Sequence, residues 1–200
     1  MNFLRTYSTS QLSEPFRLAM SRISSQAMIL TSGTKTDSNE LHGMTLGSVC
    51  SLSVFPTPLI QFNLHLPSYT SSELHRYKYL ALHVLPPIDA SVHLSRIFAK
   101  GIKGEDGEVF HEMTKPFELL EGEKEYGFYN VDEEGVKIPI LKNVETTLIC
   151  KVRENFLIEG HEIWVANVVD ILQNNQFKEK SGGILYYNRG FHKIGKRLHE

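Results

Sequence analysis

The chain reads as mainly β, an antiparallel, Greek-key-like barrel with a few peripheral helices. Three observations carry that expectation. In PLIQFNLHL (58–66), Ile60, Phe62, Leu64 and Leu66 alternate with Gln61, Asn63 and His65, the period of a half-buried strand. In VETTLICKVRENFLIEGHEIWVANVVDIL (144–172), two long strand-like runs flank Glu159 and Gly160, a hairpin signal. Elsewhere turn residues recur at short intervals and few segments carry a helical period, so strands outnumber helices. A length of 200 residues suits one domain with a sizeable core.

MNFLRTYSTSQLS has one Arg, many hydroxyls and no acid before Glu14, the composition of a short organellar presequence. RTYS resembles a mitochondrial processing site, with Arg5 ahead of a cut between Tyr7 and Ser8. Residues 1–12 are therefore expected to be a presequence for the mitochondrial matrix, and 13–200 the domain. SEPFRLAMSRIS (13–24) predicts a helix capped by Ser13, with Phe16, Met20 and Ile23 on one face. AMILTSG (27–33) is a short apolar strand and TKTDSNEL (34–41) a polar turn. PSYTSSELHRY (67–77) is a loop feeding a short helix capped by Thr70 or Ser71. YLALHVL (79–85) is a strand stopped by Pro86 and Pro87, and DASVHLSRIFAK (89–100) an amphipathic helix capped by Asp89. Residues 101–135, rich in Gly and Glu, read as an irregular, acidic excursion. GGILYYNRGFHKIG (182–195) gives two short strands around NRG.

Composition removes several classes of function. With 21 Lys+Arg against 23 Asp+Glu there is no basic field for a nucleic-acid backbone. No run approaches the ~20 apolar residues of a membrane span. Cys50 and Cys150 make neither a disulfide framework nor a metal site; their small or apolar neighbours suggest buried thiols in a reducing compartment. The nine histidines show no metal-ligand spacing, so no metal is expected. Neither usual nucleotide fingerprint occurs, and GIKGEDGE (101–108) sets acids among its glycines, which would repel a phosphate. There is no GxSxG elbow for a hydrolase.

Two neutral, hydroxyl-rich segments remain. HGMTLGSVCSLSVFP (42–56) carries Thr45, Ser48, Ser51 and Ser53, with Gly43 and Gly47 and no Asp, Glu, Lys or Arg. SYTSS places Ser68, Thr70, Ser71 and Ser72 at the expected start of a helix. Helix starts bind phosphate through unpaired N–H groups, and small residues let a planar ring approach the backbone. A flat, phosphate-tailed ligand along 43–51 is one reading. A sheet edge with serines facing water, beside an ordinary helix cap, is the other.

The order of these pieces resembles the flavin reductase family of the FMN-binding split barrel. The matching pieces are FRLAM, AMILTSG, GMTLGSVCSLSVFPTPLIQFNL, PSYTSSEL, YLALHVL, RIFAKG, GHEIWVANVVDI and ILYYNRGFHKIG. They cover the chain outside the N-terminus and 101–135, and PTPLIQFNLHLPS resembles the fungal branch. The resemblance implies FMN, or FAD, bound non-covalently in a homodimer, with NADH or NADPH as co-substrate and an oxygenase or other acceptor taking the electrons. It places Thr45, Leu46, Gly47, Ser48, Val49 and Ser51 along the flavin. Ser68, Thr70, Ser71 and Ser72 fall at its phosphate, and Phe98, Ala99 and Lys100 near it. Ser51, Leu52, His161, Gly190, Phe191 and His192 fall on the nicotinamide side, with His161 orienting the carboxamide. Gly47 stands where relatives often have Asn, and the acidic excursion could cover the nicotinamide side. Two rivals stay open: an FMN-binding module without turnover, and an assembly protein that keeps the barrel and has lost the ligand.

Overall fold

The computed structural model describes residues 9–35, 40–99, 115–131, 135–177 and 181–198. Helix α1 (Thr9–Met20) precedes β1 (Ser25–Ser32), β2 (Thr34–Lys35), β3 (Gly43–Leu46), β4 (Cys50–Ser53) and β5 (Leu59–His65). Then come α2 (Tyr69–Tyr77), β6 (Tyr79–Val84), α3 (Asp89–Ala99), β7 (Tyr126–Val131) and β8 (Val136–Leu141). The long hairpin β9 (Thr146–Ile158) and β10 (His161–Gln173) follows, then β11 (Ile184–Tyr187) and β12 (Gly190–His192).

One sheet runs β12-β11-β1-β6-β9-β10-β5-β4, with β3 also on β1. Every pairing is antiparallel. Because β3 runs on into β4, the two ends of this ladder belong to one stretch of chain, and the sheet closes into a barrel. Met28, Leu30, Leu46, Phe62, Leu64, Leu82 and Trp164 fill its interior. The alternation read in β5 holds: Ile60, Phe62 and Leu64 are buried, while Asn63 and His65 are exposed. Outside the barrel, α3 packs Ile97 and Phe98 over Ala27 and Ile29 of β1. A three-stranded sheet, β2-β8-β7, covers Tyr79, Ala81 and Ile149.

Both hairpin turns expected from sequence are present. Glu159 and Gly160 have φ of 49° and 75°, and Asn188 and Arg189 have 46° and 62°. Two consecutive positive φ angles suit the right-handed twist of the strands they join.

Several expectations need correction. Helix α1 starts at Thr9, so Ser13 lies inside it; the hydroxyl run before Pro15 offers several caps and nothing local ranks them. Its apolar residues Phe16 and Met20 are exposed, as is Ile23 beyond it. Asp89 is the first helical residue of α3, not its cap: the amides of Ser91 and Val92 both donate to the Ile88 carbonyl. The turn at 34–41 begins as strand β2, with Thr34 opposite Lys137. Cys150 is buried, but Cys50 is exposed, because β4 is the last strand of its ladder. Within 101–135, residues 115–131 form regular structure rather than an irregular excursion, with 3-10 turns at Pro116–Leu119 and Gly122–Lys124 and then β7. The buried ring of Phe117 anchors them, meeting Phe98 at 5.2 Å and Tyr126 at 5.1 Å. Aromatic anchors without periodicity were hidden among the acids. Residues 100–114, with GIKGEDGE and Lys100, lie outside the described residues, as do residues 1–8.

His83, on β6, is wholly buried. Its Nδ1 lies 3.0 Å from the Ile29 carbonyl and its Nε2 accepts from the Leu141 amide at 3.1 Å. The Nδ1–H tautomer satisfies both, tying β1 and β8 to β6. Burial pushes its pKa down from 6.5 to about 4, against the opposing pull of the Ile29 carbonyl. Above pH 6.5 neither the folded nor the unfolded chain protonates this ring. Between 6.5 and about 4 only the unfolded chain does, so stability falls as pH falls, by about 3 kcal/mol across the window. Urea midpoints measured from pH 7.5 to 4.5 should drop accordingly, and the drop should shrink in His83→Asn.

Gly43 is a second point of tight packing. A Cβ there would stand 2.6 Å from the Leu30 carbonyl oxygen and 2.9 Å from Phe98 Cε1. The carbonyl belongs to a neighbouring strand and cannot retreat. Gly43→Ala should cost roughly 1–3 kcal/mol, read as a lower urea midpoint at unchanged m-value.

Candidate functional site

Four pieces of chain meet at one end of the barrel. They are the β3–β4 crossing, the end of β5, the start of α2 and the tip of the β9–β10 hairpin. The Leu66 amide donates to the Gly160 carbonyl at 2.9 Å, joining the segment that leads into α2 to the hairpin tip. His42 stacks on Tyr69 with ring centroids 5.8 Å apart and planes 12° apart, joining the segment before β3 to α2. The structure thus brings the two hydroxyl-rich segments together.

The hydroxyls do different work from one another. Ser48 sits between β3 and β4, out of either ladder. Its Oγ accepts from the Asn63 amide at 3.1 Å and donates to the Asn63 carbonyl at 3.3 Å. Thr45 donates to the Ser95 carbonyl of α3 at 2.8 Å, and Ser53 to the Phe55 carbonyl at 3.0 Å. These three close the barrel, seat a helix and shape a loop. Leu46 is core and Val49 packs against it. Gly47, Ser51 and Leu52 are exposed. Cys50 Sγ lies 3.1 Å from Gln61 Nε2, a bond between neighbouring strands.

At α2 the cap is Ser68, whose Oγ accepts from the Ser71 amide at 3.2 Å. The expected caps Thr70 and Ser71 instead occupy the first turn and are buried. A cap must stand before the helix with extended backbone, and Ser68 does, at φ −148° and ψ 124°. The Ser71 hydroxyl donates to Glu162 Oε2. Ser68 is half-buried and Ser72 exposed, with Ser72 Oγ donating back to the Ser68 carbonyl at 3.2 Å.

His161 opens β10 directly opposite His65, the last residue of β5. Both are exposed, their rings meet edge-on at 4.8 Å, and His161 Nδ1 lies 3.4 Å from the Glu159 carbonyl. Among the described residues no three His, Cys, Asp or Glu gather as metal ligands. Phe98 is drawn into the core against Gly43, leaving Ala99 exposed beside it. Gly190 and Phe191 lie on β12, beyond β11 on the Ser25 side of β1, and Phe191 packs edge-on against Tyr186 at 5.4 Å. His192 lies there too, its Nε2 3.2 Å from the Tyr187 carbonyl. The buried carboxylate Glu162, the partnered His75 and the stacking residue Tyr69 were not picked out from sequence. An acid next to apolar residues at the start of a strand, two residues after the hairpin tip, was the available signal.

A flavin fits the residues present. Among the described residues β3 is paired along one edge only, by β1, so the other edge offers backbone donors and acceptors to a ring. The amides of Tyr69 and Thr70, in the first turn of a serine-capped helix, suit a phosphate. The stretch along that edge carries no charge. Two clefts of about 600 and 670 Å³ open elsewhere, around Tyr126 and Lys142 and around Asn143 and Asn174, away from this constellation.

Solved structures share the fold. A homolog of nitrilotriacetate monooxygenase component B from Mycobacterium thermoresistibile is 16% identical with a TM-score of 0.72, over 96% of this chain and 93% of that one. A flavin reductase domain protein from Arthrobacter sp. FB24 is 21% identical with a TM-score of 0.70, over 94% and 98%. An NADH:FAD oxidoreductase of Streptomyces globisporus C-1027, in complex with NAD and FAD fragments, is 18% identical with a TM-score of 0.68, over 96% and 98%. Residues 20–195 match the family described as flavin reductase like domain, a span that takes in the barrel and every segment of the site, and the chain belongs to that family.

Proposed function

We propose that this chain is an NAD(P)H-dependent flavin reductase that holds FMN along β3 and the start of α2. The observation that carries the reading is the one-edged strand β3 beside the serine-capped start of α2, in a chain of this family. FMN is favoured over FAD because one helix start suits one phosphate. Bound there, the flavin supplies the redox chemistry, taking hydride from the nicotinamide. The protein's own work is placement. The backbone of residues 45–49 meets the ring edge, and the first-turn amides of α2 with Ser68 and Ser72 meet the phosphate. His161, with His65 beside it, lines the nicotinamide side and offers a ring nitrogen to the carboxamide. No side chain is asked for a proton, and no acid–base pair is needed. Gly190, Phe191 and Ala99 belong to the outer rim of this reading.

A homodimer is part of the proposal. Phe156, Leu157 and Ile158 on the β9 side of the hairpin and Phe16 on α1 are exposed in the single chain, apolar surface that a second copy would cover. So are membership of the fungal branch and mitochondrial import directed by residues 1–12, which cell fractionation of the tagged full chain tests. Among the described residues no helix is long and apolar enough to cross a membrane.

The test is an absorbance titration with FMN, then NADH or NADPH added under nitrogen. Saturable binding followed by bleaching of the flavin band is expected. Binding without bleaching would make this a flavin module without turnover, and no binding would leave only a barrel. Thr70 and Ser71 are buried, so the phosphate end is probed at Ser72: Ser72→Glu should weaken FMN binding about tenfold or more by charge repulsion. His161→Ala should raise the KM for NAD(P)H about tenfold with FMN affinity little changed, the pattern of a contact made to one substrate only.

A further inference from the structure

We infer that Glu162 is a positioning residue that couples the phosphate end of the site to the nicotinamide end; this rests on the flavin reductase reading. Glu162 is 6% exposed. Its Oε2 accepts from Ser71 Oγ, and its Oε1 lies 2.7 Å from His75 Nε2. Ser71 and His75 are four residues apart on α2 and so share one face of it. Two grips a turn apart set both the rotation of the helix about its axis and its height above the barrel. They thereby set where the Tyr69 and Thr70 amides point. The His75 ring also rests edge-on against Trp164 at 4.7 Å, so the helix is seated on the barrel core as well.

The other end of the lever is the backbone. Glu162 follows His161 directly, and the two are paired in register with Leu64 and His65 of β5. A shift of α2 is therefore passed through one side chain to the residue next to the proposed nicotinamide contact. Stability gives no reason to keep a carboxylate here. Burying one costs several kcal/mol before its partners compensate, and replacing such a carboxylate together with its partners by apolar residues of similar volume is often neutral or stabilising. Leu64 and Leu74 fill equivalent space in the same interior. What the carboxylate adds is direction: two acceptor oxygens that hold two separate donors in one geometry.

The experiment uses the full chain as wild type, Glu162→Ala, Glu162→Gln and His75→Phe. Three quantities are read: FMN dissociation constant, KM for NADH against kcat, and, without ligand, the emission of Trp164, the single tryptophan. Glu162→Ala should raise both the FMN dissociation constant and the KM by about tenfold, and shift the Trp164 emission. Glu162→Gln should restore both constants to within about twofold, because its amide can accept from Ser71 and pair with His75. His75→Phe keeps a ring on Trp164 but cuts one grip, and should fall between the two. It also carries the test alone if the alanine variant does not fold, since the His75 side chain is 44% exposed. Unchanged constants in the alanine variant or in His75→Phe, with only the emission or the melting temperature moved, would overturn the proposal and leave Glu162 a structural residue. A glutamine variant as impaired as alanine would overturn it too, since charge rather than placement would then be at work. Wild type that binds no FMN would instead sink the flavin reading itself, and the positioning role with it.

Discussion

Ser48 holds both main-chain polar groups of Asn63, and this pair of bonds is where the sheet becomes a barrel. The stretch around it belongs to two ladders, pairing with β1 before residue 47 and with β5 from residue 50. Between them the chain crosses a gap that no backbone ladder spans. The Asn63 N–H and C=O facing that gap have no ladder partner there, and the Ser48 hydroxyl supplies one to each. One small side chain that both donates and accepts fills the need, and a serine is the smallest that does. Around the same crossing, Thr45 seats α3 through the Ser95 carbonyl, and Gly43 gives Phe98 room to lie against β3. The neutral, small, hydroxyl-rich character of 42–56 is thus first a requirement of closure.

That requirement also shapes what is left for a ligand. Thr45 and Ser48 are committed to the protein, so a ring bound along β3 as proposed would meet backbone rather than side-chain hydroxyls. The same holds at α2, where Ser71 is turned inward to Glu162 and Ser68 caps the helix. The two readings offered by the sequence, ligand edge and structural edge, are therefore compatible. The side chains hold the frame, and the exposed backbone of that frame is what remains to bind.

Much of the fold was legible because its signals are local. Alternation in β5, two consecutive turn residues at 159–160 and at 188–189, and the Pro86-Pro87 stop each depend on a few adjacent residues. What was missed depends on distant partners. Nothing near Ser68 says that it, rather than Thr70 or Ser71, caps α2; the choice follows from where the chain leaves β5. Phe117 and Tyr126 anchor an ordered segment only because Phe98, on another element, meets Phe117. Cys50 is exposed because β4 ends its ladder, a fact of topology and not of its neighbours in sequence. In the site, the hydroxyl segments stood out by composition, and His161 only through the family resemblance. Glu162 did not, since its partners lie about ninety residues earlier in the chain.

Two buried polar side chains, His83 and Glu162, play unlike parts in this frame. His83 is neutral, with both ring nitrogens engaged by backbone groups of neighbouring strands, so it acts as a cross-tie whose geometry the backbone dictates. Glu162 engages side chains on a helix, and side chains can be remade by rotation where a backbone ladder cannot. A helix held by two such bonds on a closed barrel has a defined seat without being part of the sheet. For a reaction that asks the protein mainly to bring two flat rings face to face, small errors of placement are costly in rate. On the proposed reading the closed sheet lies under the flavin ring and the carboxylate-held helix meets the flavin phosphate, the sheet setting the plane and the carboxylate setting the aim.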